Sequence, residues 1–126
     1  MSEATIERFF ETYAERYMAS DANAVTAMYE VPMLAVREGV AIHLGDNDAL
    51  FKHLSALMEA YRNAGAARAT IAAINSISLG RSSMLTMVRW NVQSDDGTAI
   101  RDFVTSYHML RRENDEWRIL SYTNHD

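Results

Sequence analysis

Three side chains in this sequence are of the types that do chemistry without a cofactor: Tyr13, Asp102 and His108. A histidine takes up or releases a proton near neutral pH. A carboxylate is costly to bury alone, so Asp102 must sit at the mouth of a cavity or pair with a cation such as Arg89 or Arg101. Tyr13 offers an apolar ring and a hydroxyl that needs a partner when buried, and it reads either as a core aromatic or as a hydrogen-bond donor to a ligand. His108 is flanked on its strand by Ser106 and Leu110, with Ser121 across a hairpin. A hydrogen-bonded structural histidine and a catalytic one both fit that setting. Trp90 can wall a pocket or fill the core, and Tyr17 and Tyr29 are the further aromatic candidates for contact with a ligand. Asp102 and Glu38 are the only plausible general bases.

Other chemistries are not written here. The chain has no Gly-rich phosphate loop, no Ser-centred nucleophile elbow and no dinucleotide fingerprint. His43 and His53 lack partners at metal-ligand spacing and read as surface or structural, and His125 lies near the end of the chain. A zinc site needs about four coordinating positions, so neither a metal nor a cofactor is expected. A net charge of −5 argues against nucleic acid as a partner. No apolar run approaches the ~20 residues of a membrane span, and the first residues do not form a signal peptide. With neither feature, the default expectation is a cytoplasmic protein; the lack of cysteine excludes disulfides and thiolate ligands but does not assign a compartment. Its 126 residues, 48% hydrophobic, suit one domain over 1–126.

The elements that must position these residues follow from periodicity. Ile6, Phe9, Phe10, Tyr13 and Tyr17 recur at helical spacing and predict a helix from about Thr5 to Ala19. Ser20-Asp21 ends it and caps a shorter helix, Ala22 to Tyr29. Met33–Val36 and Val40–Leu44 are short strands around Glu38-Gly39. Asp46 or Asn47 caps a third helix to about Asn63, with Gly65 just past its end. Ala69–Leu79 is strand-like, but Ile71, Ile74 and Ile77 are spaced by three, which a bulge or bend reconciles with a strand.

From about Ser83 onward the sequence reads as three long antiparallel strands, turned at Asp95-Asp96-Gly97 and around Asn114-Asp115. That second turn sets Arg112 opposite Trp117, Leu110 opposite Ile119, His108 opposite Ser121 and Ser106 opposite Thr123. Strict alternation then gathers Trp90, Val88, Asp102, Ser106, His108, Trp117, Ile119 and Ser121 on one face. Phe103, Tyr107, Met109, Leu120 and Tyr122, with Leu85 and Met87, fall on the other. The first face is expected to be concave, and the second to form a homodimer interface as an exposed apolar patch. A one-residue slip exchanges the faces.

The element order is α+β. With Ala19-Ser20-Asp21, Val25-xx-Met28-Tyr29 and the ending Leu110-Arg111-Arg112…Trp117-Arg118-Ile119, it resembles the NTF2-like superfamily, including ketosteroid-isomerase-like and SnoaL-like proteins. The resemblance covers essentially the whole chain. It implies three helices packed in the concave face of a strongly curved, mostly antiparallel sheet, a cone whose mouth holds a small ligand. Tyr13, eight residues before Asp21, is similar in placement to that family's oxyanion-hole tyrosine. Tyr29 is similar to a supporting tyrosine, and His108 falls where those isomerases carry a protonated aspartate. At the general-base position stand Val36, Arg37 and Glu38, so the isomerase activity itself does not carry over. The implied function is binding of a small hydrophobic keto or hydroxy compound, as a cofactor-free isomerase, cyclase or dehydratase or as a non-catalytic dimeric module with a self-filled cavity.

Overall fold

The computed structural model describes residues 3–125. Helix α1 (Glu3–Met18) forms where Ile6, Phe10, Tyr13 and Ala14 repeat at steps of three and four, and all four are buried. At its end Ser20 takes a positive φ of 58°. Asp21 then caps the five-residue α2 (Ala22–Thr26) by accepting a hydrogen bond from the Ala24 amide at 3.1 Å. Helix α2 is shorter than its sequence pattern suggests. Tyr29 already belongs to β1 (Tyr29–Arg37), opposite Ile119, and the Met28 carbonyl accepts from the Ile119 amide. Sheet pairing there outcompetes one more helical turn. The Val31–Pro32 peptide is cis, within the irregular stretch of β1 between Tyr29 and Leu34.

Strand β2 (Val40–Leu44) pairs antiparallel with β1 after the Glu38-Gly39 turn. Asp46 caps α3 (Asn47–Asn63), which buries Leu50, Leu54 and Met58, and Gly65 just beyond it takes φ 88°. Strands β3 (Arg68–Ser78), β4 (Ser83–Gln93), β5 (Ala99–Arg111) and β6 (Trp117–Asn124) complete one sheet in the order β2-β1-β6-β5-β4-β3. Only β1 and β6 run parallel. β3 carries an irregularity between Ile71 and Ala73, which lets Ile71 and Ile74 both face the core, whereas Ile77 points outward.

Two further bulges decide which way the sheet faces. The loop at Asp95-Asp96-Gly97 closes as its turn residues require, with the Ser94 amide donating to the Thr98 carbonyl and Gly97 at φ 85°. Gln93 then pairs with Ala99 but Val92 with Arg101, so Ile100 is an extra residue in β5. That insertion reverses the phase of β5 against β4: Trp90 lies opposite Phe103, Val88 opposite Thr105 and Thr86 opposite Tyr107. In β6, His108 pairs with Ser121 while Met109 pairs with Ile119, so Leu120 is extra. The bulge lets Trp117 and Ile119 share the inner face with Tyr122, and it shifts the pairs near the turn to Arg111–Trp117 and Leu110–Arg118.

The concave face therefore carries Thr86, Val88, Trp90, Val92, Phe103, Thr105, Tyr107, Met109, Ile119 and Tyr122 against α1 and α3. The expectation that Phe103, Tyr107, Met109 and Tyr122 form an outer patch is corrected by the same phase change. Of that set, Leu85 and Met87 do face outward.

Candidate ligand cavity

Helix α1 sets its aromatic stripe on the sheet. The Phe10 ring centre is 4.6 Å from that of Tyr107, and Tyr13 stacks with Trp90 at 6.3 Å. Beyond these contacts a cavity of about 80 Å³ opens between α1, α3 and the concave face, several times the space one water needs. Its buried lining includes Tyr13, Tyr29, Trp90 and Tyr107, and Tyr17, Tyr61, Arg37, Arg101 and Asn124 are among its other lining residues. Among the described residues, no aspartate, glutamate or histidine lines it.

The buried hydroxyls of Tyr13, Tyr29 and Tyr107 are paired. The Tyr13 and Tyr29 hydroxyls lie 2.7 Å apart, and the Trp90 indole N–H donates to the Tyr107 hydroxyl at 2.9 Å. Burial, reinforced by neighbouring phenols, holds the Tyr13 and Tyr29 pKa values well above that of a free phenol. Both are therefore neutral hydrogen-bond donors at physiological pH. Tyr122 is pushed up to about 12 by burial, with the Arg37 charge opposing the rise. Its hydroxyl lies 2.7 Å from His53 Nε2. Desolvation lowers the His53 pKa and favours the neutral imidazole beside the Tyr122 hydroxyl.

Of the residues singled out from sequence, Tyr13, Tyr17, Tyr29 and Trp90 line this cavity. Asp102, Ser106, His108 and Ser121 do not. The Ile100 bulge turns all four to the convex face, away from α1. There His108 Nε2 is 2.6 Å from the Ser83 hydroxyl, Ser106 is 2.7 Å from His125 Nε2, and Asp102 forms an exposed ion pair with Arg89 at 2.9 Å. The Arg89 guanidinium holds the Asp102 carboxyl below the usual carboxylate range. A shared volume for Tyr13 and His108 is thereby ruled out. Glu38 sits in the β1–β2 turn at φ 50° and does not line the cavity.

Sequence reasoning passed over Arg37, Tyr61, Thr105 and Asn124 as lining residues, saw Arg101 only as a partner for Asp102, and set His53 aside. A signal existed for His53: it lies three residues after Leu50 and four before Leu57, on the buried stripe of α3. For Arg101 the signal depended on the phase of β5. Among the described residues no group of three or more His, Asp or Glu side chains gathers as a metal site, and no helix is long and apolar enough to cross a membrane.

A cone-like sheet wrapped on three helices defines the class. An NTF2-like protein with a cystatin-like fold from Novosphingobium aromaticivorans superposes with a TM-score of 0.74 at 15% identity, covering 94% of this chain and 77% of that one. Aln2 from a Streptomyces species gives 0.75 at 14% identity over 98% and 91% of the two chains. An NTF2-like protein of unknown function from Shewanella oneidensis gives 0.71 at 17% identity over the whole of both chains. At these identities the likeness is one of fold. The chain itself belongs to the family described as NTF2-like protein (DUF6841), which it matches over residues 2–126. No curated protein matches the sequence.

Proposed function

We propose that this protein binds a small hydrophobic molecule bearing a keto or hydroxy oxygen, held in the cavity between α1, α3 and the concave sheet face. The Tyr13–Tyr29 pair carries this reading. One of its two hydroxyls donates to the other, so the pair retains one O–H hydrogen to give. Neither hydroxyl has another hydrogen-bond partner among the described residues. A neutral hydroxyl donor in a largely apolar pocket with few polar groups is the usual form of a small-ligand site, and it can stabilise negative charge developing on a bound oxygen. An isomerase, cyclase or dehydratase at this site would draw its base from His53 through the Tyr122 hydroxyl, because Asp102 and His108 lie on the far side of the sheet.

The test is a thermal-shift screen of hydrophobic keto- and hydroxy-compounds, since a specific ligand raises stability as RT ln(1 + [L]/Kd). Tyr13→Phe should weaken a hit, whereas Asp102→Asn and His108→Ala should leave its affinity unchanged. A hit lost in the convex-face variants but kept in Tyr13→Phe refutes the proposal.

A second reading, the dimeric module, has its own support on the convex face. Leu34, Ser121, His108, Leu85 and Ile77 form one row across five strands, with Leu34, Leu85 and Ile77 exposed and Met87 beside them. Two-fold pairing through this row gives a homodimer that leaves the cavity free.

A further inference from the structure

The lining of the cavity has a charge that the rest of the molecule does not. The chain carries a net charge of −5, yet among the described residues the cavity is lined by two arginines and by no acidic side chain. The described ion pairs occupy Lys52, Arg89, Arg111, Arg112 and Arg118. Arg37 and Arg101 are in none of them.

Arg101 is half-buried and held in place by neutral groups. Its Nη1 donates to the Tyr61 hydroxyl at 2.6 Å, and its guanidinium carbon lies 4.2 Å from the Phe103 ring centre and 5.9 Å from that of Tyr61. A guanidinium has five N–H donors, and only Nη1 has a hydrogen-bond partner among the described residues. Arg37 closes β1 opposite Asn124, whose side-chain oxygen is already occupied by the Thr105 hydroxyl at 2.8 Å. The charges of both arginines act on the Tyr61 phenol, opposing the rise that burial causes. Both cations line the cavity and are more exposed than the Tyr13–Tyr29 pair, which is buried.

We infer that the ligand is an anion: a flat apolar molecule whose carboxylate is received by Arg37 and Arg101, with its aromatic or alkyl body against Trp90 and Phe103. The inference rests on the small-molecule reading above and narrows it to a hydroxy or keto acid. Planar guanidinium donors match carboxylate geometry and form charge-assisted hydrogen bonds. Arg101, already fixed by Phe103 and Tyr61, loses little freedom in making them.

The experiment pairs two probes of one shape, 4-hydroxybenzoate and its neutral counterpart 4-hydroxybenzamide, titrated calorimetrically into the full chain. The carboxylate should bind about tenfold or more tightly than the amide, and the gap should narrow as salt is raised. Arg37→Gln, at an exposed strand end, should reduce the gap with the protein folded, and Arg101→Met should reduce it further. Tyr13→Phe should weaken both probes alike. Equal affinity for the two probes, unmoved by either arginine variant, overturns the anion inference and leaves the cavity reading standing. Binding of neither probe, with neutral ketones bound, overturns it as well. Failure of every small molecule to bind removes the cavity reading itself.

Discussion

Removing the Tyr13 hydroxyl tests whether the buried lining of the cavity is as dry as its packing implies. The Tyr13 and Tyr29 side chains are 8% and 2% exposed, and their hydroxyls have each other as partners at 2.7 Å. Tyr13→Phe deletes a hydrogen bond worth about 1 kcal/mol net and leaves the Tyr29 hydroxyl buried without a partner, a further cost of about 1 kcal/mol or more. The expected loss is ~2 kcal/mol, or a Tm lower by roughly 8 °C for a chain of this size. Tyr29→Phe should cost about the same. The double variant removes both polar groups together and should cost about 1 kcal/mol, well short of the ~4 kcal/mol that additivity gives. Urea melts of the four proteins, with equal m-values, measure the cycle. Additive losses, or single variants each below ~0.5 kcal/mol, would mean that water reaches the surviving hydroxyl, and the sealed donor pair would have to be abandoned.

Phe10 is fully buried against Tyr107, Trp90 and Tyr13, so Phe10→Ala should destabilise the fold by about 3–5 kcal/mol in denaturant melts; a loss under ~1 kcal/mol contradicts the docking of α1. Because desolvation lowers the folded-state pKa of His53, the unfolded chain binds the extra proton first as pH falls. Stability should therefore drop as pH goes from about 7.5 toward 5, and thermal melts of His53→Gln should show a flatter slope; an unchanged slope assigns the effect elsewhere. Sedimentation at micromolar concentration should give twice the 14.3 kDa chain mass, reverting to the single mass in Leu85→Asp, and a wild-type species of 14.3 kDa eliminates the convex-face dimer.

The sequence was most legible where a single physical rule decides the outcome. Apolar spacing placed α1 and α3, Asp21 and Asp46 announced helix starts, and Asp96-Gly97 announced a hairpin. The pairing of His108 with Ser121 was legible too. The assignment of faces was not, because it hangs on Ile100 and Leu120, two apolar residues whose types carry no mark of a bulge. Each inserts one residue into an alternating pattern, and the Ile100 insertion moved His108 and Asp102 out of the site and Arg101, Phe103 and Tyr107 into it. The turn chemistry gave the loop its length, but only the competition to bury Phe103, Thr105 and Tyr107 against α1 and α3 sets the phase beyond it.

Strand β6 is the seam between two parts of the sheet made at different times. β1 and β2 lie far upstream of it in the chain, β3 to β5 form a local meander, and the two parts are joined in the sheet only through Trp117–Asn124. A nascent chain that has not yet released β6 presents two open edges, β1 on one side and β5 on the other, each able to pair with a foreign strand. The sheet is complete only once these eight residues are in place, and the same arrangement suggests a use. A fragment ending in the β5–β6 turn should be unfolded or aggregated alone and should recover a folded sheet when the β6 peptide is supplied in trans, which makes this chain a natural template for a split reporter.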